Sequence, residues 1–337
     1  MDMRRLGPHL IGGTSVGLGH PWGVKAVNVS WQYVAQLRRE LGPLCLVYVR
    51  FEHDDPTNEM LYWPEEAARD WFARRLPDMD AIRRASGVQT VFELPPNEPS
   101  TAVLPMVVRF YRVLLPLAYG HGFRVAVGNA SVGEWHEDAW PQFKPILDML
   151  HPGSVLSLHE YWRRPADLSD RWLTARWTQP QIEAVIGDTP IIVSELGRDV
   201  YDGFGGPWLD AGISEEQYLA ELQAYAALMA QSPQVYGGFV FTLDSADPRW
   251  RRYAVDTIWP QVVAGYVAPT SAPRPQDETA TDPATIAEKV RWWQEEAVRQ
   301  LEAAGVDRGS RAMQIMYGLV NLDDGLLYRL ERTLKEA

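Results

Sequence analysis

Val91-Phe92-Glu93-Leu94-Pro95-Pro96-Asn97-Glu98-Pro99 and Ile191-Ile192-Val193-Ser194-Glu195-Leu196-Gly197 are the two stretches on which the reading of this sequence turns. Each is a short run rich in β-branched and aromatic residues, the composition of a buried strand, followed closely by a glutamate. Working outward, similar runs lie near residues 9–13, 44–51, 124–128, 155–159 and 237–242, separated by longer segments of helical period. Short strands alternating with helices make repeated βα units around a parallel sheet, and the expected class is an α/β protein with a TIM (β/α)8-type barrel. Only seven strands are visible, so the eighth is expected to be hidden or degenerate within 52–87, a mostly helical stretch in which Pro64, Glu65 and Glu66 start a helix. Ser214 and Gln217 form a capping box before Tyr218, Leu222, Tyr225 and Met229, which places a helix between the last two strands.

The chain of 337 residues fits a barrel of about 250 residues with a small appendage. The barrel is expected over 1–268. Residues 269–283, rich in Pro, Thr, Ser and Ala, read as a linker. A C-terminal helical hairpin over 284–337 carries Ile286, Val290, Trp293, Ala297 and Leu301 at helical spacing. Such a short piece cannot bury its apolar face alone, so docking, self-association or a protein partner is expected of it.

Hydrophobic residues make up 46% and charged residues 23% of the chain, which suits a folded globular protein. The formal net charge of −12 argues against broad nucleic-acid binding, which depends on Lys and Arg neutralising phosphates, and leaves neutral sugars as compatible partners. Cys45 lies within an apolar run and reads as a buried structural thiol. Neither a signal peptide nor a membrane span is visible. The expected location is the cytoplasm, unless lysis or a virion carries the chain out. Fourteen Trp and 14 Tyr would suit sugar stacking, but large aromatics fill cores more often, so enrichment alone favours core packing. His53-Asp54-Asp55 reads as a polar loop, and Gly203, Gly205 and Gly206 as a flexible rim loop, so neither a metal nor a cofactor is expected.

In a βα barrel the carboxyl ends of the strands form the active-site mouth, so polar residues that directly follow the apolar runs are the informative ones. Glu98 and Glu195 follow two different runs, His159-Glu160-Tyr161-Trp162 follows another, and Arg50 closes Leu46-Val47-Tyr48-Val49. Over about residues 9–262 this pattern resembles the large clan of retaining glycoside hydrolases whose acid/base and nucleophile end barrel strands four and seven. The resemblance implies Glu98 in Asn97-Glu98-Pro99 as general acid/base, with Asn97 on the sugar 2-hydroxyl, and Glu195 as nucleophile. It further implies that Arg50, matching a strand-two arginine, and Tyr161 orient the nucleophile, and that His159 faces substrate.

The chemistry supports such roles. Glycosidic cleavage needs one carboxyl to protonate the departing oxygen and a second, about 5–5.5 Å away in retaining enzymes, to attack the anomeric carbon. Arg50 is expected to keep Glu195 ionised, and a more apolar setting to keep a proton on Glu98. Asn129 and Ser131 add polar contacts or form a plain turn. The last strand ends Phe241-Thr242-Leu243-Asp244 without the clan's usual Trp, for which Trp250 substitutes, and the clan's His or Trp motif after strand three is not found. These departures, with the helical tail, motivate an alternative to an active hydrolase on a polysaccharide or cell-wall glycan. That alternative is a silent barrel that binds glycan or serves a larger, phage-related assembly.

Overall fold

The computed structural model describes residues 3, 5–12, 17–42, 45–87, 89–199, 207–245 and 247–264. The segments read from the sequence as a linker, a helical hairpin and a glycine-rich rim loop around Gly203 lie outside them. Residues Met1–Tyr266 form a compact unit of their own.

Eight parallel strands close into one barrel in chain order: β1 (Leu6–Ile11), β2 (Gly23–Val27), β3 (Leu46–Arg50), β4 (Thr90–Glu93), β5 (Arg124–Ala130), β6 (Val155–Trp162), β7 (Ile191–Arg198) and β8 (Val235–Leu243). The fold is therefore the expected (β/α)8 barrel, with one correction. The strand missing from the sequence reading is β2, ahead of Leu46, whereas 52–87 holds the helices α2 (Thr57–Tyr62) and α3 (Pro64–Ser86). Lys25 hid β2, because a charge in the middle of a five-residue run breaks the apolar signature although every residue of the strand is buried. As a result Arg50 ends the third strand, not the second.

Helices α1 (Trp31–Leu41), α3, α4 (Leu104–Gly120), α5 (Trp140–Leu147), α6 (Pro180–Ile186), α7 (Glu215–Ala230) and α8 (Trp259–Ala264) follow successive strands. The capping box at Ser214 and Gln217 starts α7 with both of its hydrogen bonds. Thr101–Gly120 is long and apolar enough to cross a membrane by length and composition, and here it includes α4, whose Val107, Phe110, Tyr111, Leu114 and Leu115 are buried in the core shared by sheet and helices. Gly237 lets the barrel close: a Cβ there would stand 2.5 Å from the Arg5 carbonyl and from the Trp22 ring.

Inside the barrel Tyr48, Val91, Ala126, Val155, Ile192 and Phe239 form a separate apolar cluster. Two residues further along the same strands, on the same face, come Arg50, Glu93, Ser157 and Ser194. The interior thus changes from apolar to charged towards the carboxyl ends, where barrel enzymes carry their sites.

Candidate active site

Glu195 lies within β7, where its pairing with β6 and β8 is irregular. Its Oε1 accepts from Arg50 Nη1 at 2.9 Å and Lys25 Nζ at 3.0 Å, and its Oε2 accepts from the Tyr161 hydroxyl at 2.8 Å. Burial alone would raise its pKa, but the opposing charges of His159 and Lys25, with the His9 contact, outweigh it and hold the carboxyl well below the usual range. Arg50 and Tyr161 therefore reach the glutamate that the sequence assigned them. Lys25 does the same from β2, and only a lone lysine inside an apolar run could have announced it. His9 stands 3.6 Å from Oε1, and burial, reinforced by Lys25, pushes its pKa down to about 4.

Glu98 stands on the loop after β4, in the left-handed region at φ 45°. A non-glycine residue there is costly, by about 1–3 kcal/mol, and must be held in place. Asn129 does the holding: its Nδ2 donates to the carbonyls of Leu94 at 2.7 Å and Pro96 at 3.0 Å. Asn129 is thus a buried brace for the loop and not part of the cleft lining. Asp55 helps by accepting from the Asn97 backbone N–H at 2.8 Å. The Glu98 carboxyl accepts from the Ser131 hydroxyl at 3.0 Å and lies 2.8 Å from His159 Nδ1, with its side chain 31% exposed. The apolar setting expected for Glu98 is therefore replaced by a polar one, and Ser131 is a contact of the site, not a turn residue alone.

His159 is fully buried and does not line the cleft, which corrects its expected substrate-facing role. It lies between carboxylates, with Glu98 and Glu195 at 2.8 and 3.6 Å from Nδ1 and Glu93 at 3.5 Å from Nε2. Burial opposes its charge, but Glu195, Glu93 and Glu98 together raise its pKa. Behind it, Arg176 donates to the carbonyls of Ala130, Ser131 and His159 at 2.6–2.9 Å, bracing both residues that touch Glu98. Glu160 is structural, accepting from the Arg176 backbone N–H at 3.0 Å, and Cys45 is a buried thiol whose pKa burial pushes up to about 12.

The two glutamates open into a cavity of about 320 Å³ that also takes in Asn97, Arg50, Tyr161 and an aromatic wall of Phe241, Trp250 and Tyr253. Trp250 packs edge-on against Phe241 of β8 with ring centroids 5.3 Å apart, on the wall of this cavity. Glu98, His159 and Glu195 offer ligand atoms that all lie within 4.8 Å of one another. A metal ion would accept that spacing, but Glu195 already takes two cationic donors, which would repel a third cation.

Neither a family model nor a curated protein matches the sequence. Solved structures do. The Prevotella bryantii endo-β-mannanase/endo-β-glucanase PbGH26A-GH5A aligns at 11% identity and a TM-score of 0.42 over 78% of this chain and 48% of that one, so this chain spans about half its length. PbGH5A from the same organism, a glycoside hydrolase family 5 enzyme, aligns at 11% identity and 0.43 over 78% of this chain and 96% of that one. An engineered protein reaches 0.50 at 15% identity over 72% of this chain and 64% of that one. At these identities the likeness speaks to fold alone, and the closed eight-stranded barrel is read from the strand pairing of this chain itself.

Proposed function

We propose that the protein is a retaining glycoside hydrolase acting on a polysaccharide or cell-wall glycan, with Glu195 as nucleophile and Glu98 as general acid/base. The observation that carries this reading is the spacing of the two carboxylates, whose oxygens approach within 4.8 Å beside an open cavity. That is close to the about 5–5.5 Å of retaining enzymes and well short of the about 6.5–9.5 Å that leaves room for a water in inverting ones. The electrostatics fit the division of labour. Glu195, ionised among Lys25, Arg50 and Tyr161, is suited to attack the anomeric carbon. Glu98, on the more exposed side and bonded to His159 and Ser131, gives its proton to the departing oxygen and then takes one from the incoming water. Asn97 Oδ1 and Arg50 Nη2 are buried without a hydrogen-bond partner among the described residues, and both residues line the cavity, where a sugar hydroxyl would satisfy them.

The test is a panel of aryl glycosides and their 2-deoxy-2-fluoro analogues. Turnover with retained anomeric configuration, and one fluorosugar bound covalently at Glu195, are expected. Inverted product, or label at another residue, would overturn the assignment. No turnover together with glycan binding unchanged by Glu98→Gln would favour a silent glycan-binding barrel instead.

A further inference from the structure

Lys25 and Glu93 are fully buried charges on neighbouring parts of the barrel, yet neither is among the residues that line the cavity. One turn of side chains lower, the same barrel fills its interior with Val91, Ile192 and Phe239, so an apolar filling was sterically available. Burying an ion pair instead costs desolvation that its attraction barely offsets, which makes a buried pair a poor stabilising device and calls for another reason to keep it. Geometry supplies the reason. Lys25 Nζ bridges Glu93 Oε2 at 2.8 Å and Glu195 Oε1 at 3.0 Å, while Glu93 Oε1 faces His159 Nε2 at 3.5 Å, on the ring edge opposite the one that meets Glu98. Glu93 therefore lies at the join of two chains of contact, one running to each glutamate of the site.

We propose that Glu93 is a positioning residue for both halves of the site: through Lys25 it fixes Glu195, and through His159 it governs the proton shared with Glu98. The proposal rests on the hydrolase reading of Glu98 and Glu195. Charge counting shows what Glu93 contributes. His159 is faced by Glu93 from β4, Glu98 from the loop after β4 and Glu195 from β7, with Lys25 from β2 and Arg50 from β3 bound to those carboxylates and Tyr161 further along its own strand. Arg176 behind the ring is paired with Glu160 at 3.6 Å and adds no net charge, and His9 of β1 beside Glu195, its pKa pushed down to about 4, is neutral near pH 7. With Glu98 ionised and His159 protonated, three carboxylates meet Lys25, Arg50 and His159. When the proton crosses from His159 Nδ1 to Glu98 Oε1, two carboxylates meet two cations. The cluster is neutral in both states, so the proton can move between the ring and the acid without leaving an unpaired buried charge. A neutral residue at 93 leaves one positive charge in excess in either state, which expels the proton. The depressed pKa of Glu93, at about 2, agrees: burial would raise it, and Lys25, His159 and Arg50 more than reverse that.

The experiment follows the His159 ring by 15N-histidine NMR, assigned by difference with His159→Asn, in the wild type, Glu93→Gln, Glu93→Asp and the charge-neutral pair Lys25→Met/Glu93→Gln. The double variant guards against a single variant that fails to fold, because it removes both members of the pair. The wild-type ring is expected to titrate above 6.5. Glu93→Gln should lower its proton affinity by at least about tenfold, the double variant by less, and Glu93→Asp should restore most of it. In the same series the alkaline limb of kcat/KM for an aryl glycoside should move to lower pH with Glu93→Gln while KM changes little. A titration of His159 that is the same in all folded variants overturns the proposal even if the wild type is active. An intact coupling in a wild type that turns over no glycoside overturns the hydrolase reading instead.

Discussion

Glu195 stands on a strand and Glu98 on a loop, and the two are held by different physics. Around Glu195 the donors are a lysine, an arginine and a tyrosine from three further strands, all at 2.8–3.0 Å and all buried. Around Glu98 they are a serine and a histidine, on a loop whose left-handed turn depends on Asn129. A carboxylate that must stay ionised and attack along one line gains from rigid charged support, since sites built on strands are the more accurate. A carboxylate that must lose a proton and then regain one gains from neighbours that can do the same, and His159 is such a neighbour whereas Arg50 is not. The two sides differ as the steps they would perform differ.

The comparison is sharpest at the largest effects. Glu195→Gln should abolish turnover of every glycoside, however good its leaving group, because no covalent intermediate forms; steady-state rates near background would show it. Glu98→Gln should cost about 10²–10⁴-fold on substrates with poor leaving groups and much less on the glycosylation step of activated aryl glycosides. Equal losses for both variants across a leaving-group series would erase the distinction between nucleophile and acid.

A smaller effect, on stability, separates the sides by pH. Glu93 and Glu195 have folded pKa values below their unfolded ones, so their contribution is complete above about pH 4.5 and is lost as pH falls through the folded values. For Glu93 the drop from 4.5 to about 2 corresponds to on the order of 3 kcal/mol. His9, lowered from 6.5 to about 4, works in the same direction between those values, because the unfolded chain takes up the proton first. His159 is the opposite case: its raised pKa adds stability that is present below pH 6.5 and lost as pH rises through the folded value. Urea midpoints should therefore fall from pH 6 to pH 3, and Glu93→Gln should flatten the part of that slope below pH 4.5. A Glu93→Gln slope equal to wild type would show that the strand side is not held by charge.

How much of this was legible in the sequence follows the same division. Residues that follow apolar runs free of charge were legible: Arg50 comes after Leu46–Val49, Glu195 soon after Ile191–Val193 and Tyr161 soon after Val155–Leu158, and such a run locates the strand and its carboxyl side. Glu98 was legible through its short Asn97-Glu98-Pro99 context. What could not be read are the groups whose environment is made by distant strands. Lys25 looks like a break in a strand until Glu93 and Glu195 arrive from β4 and β7 to neutralise it, and hiding β2 also displaced Arg50 by one strand in the count. Asn129 and His159 were found as polar residues after strands, but whether such a residue faces the cleft or braces it depends on register and on the loop it meets, and spacing along one chain does not contain that.

The loop side yields the finest test. Ser131→Ala removes one hydrogen bond to a carboxylate that keeps its contact with His159 and is partly open to water. One such bond contributes about 1 kcal/mol, so kcat/KM on poor leaving groups should fall by about fivefold, with the urea midpoint nearly unchanged because water can replace the hydroxyl. Asn129→Ala serves as its counterpart. It touches neither carboxylate but frees the carbonyls of Leu94 and Pro96, so it should lower both the urea midpoint and the rate by letting Glu98 leave its left-handed conformation. If Ser131→Ala instead costs as much as Asn129→Ala, hydrogen bonding to the acid matters more than the backbone that presents it. The loop would then resemble the strand side, a carboxylate held by its donors and not by its turn.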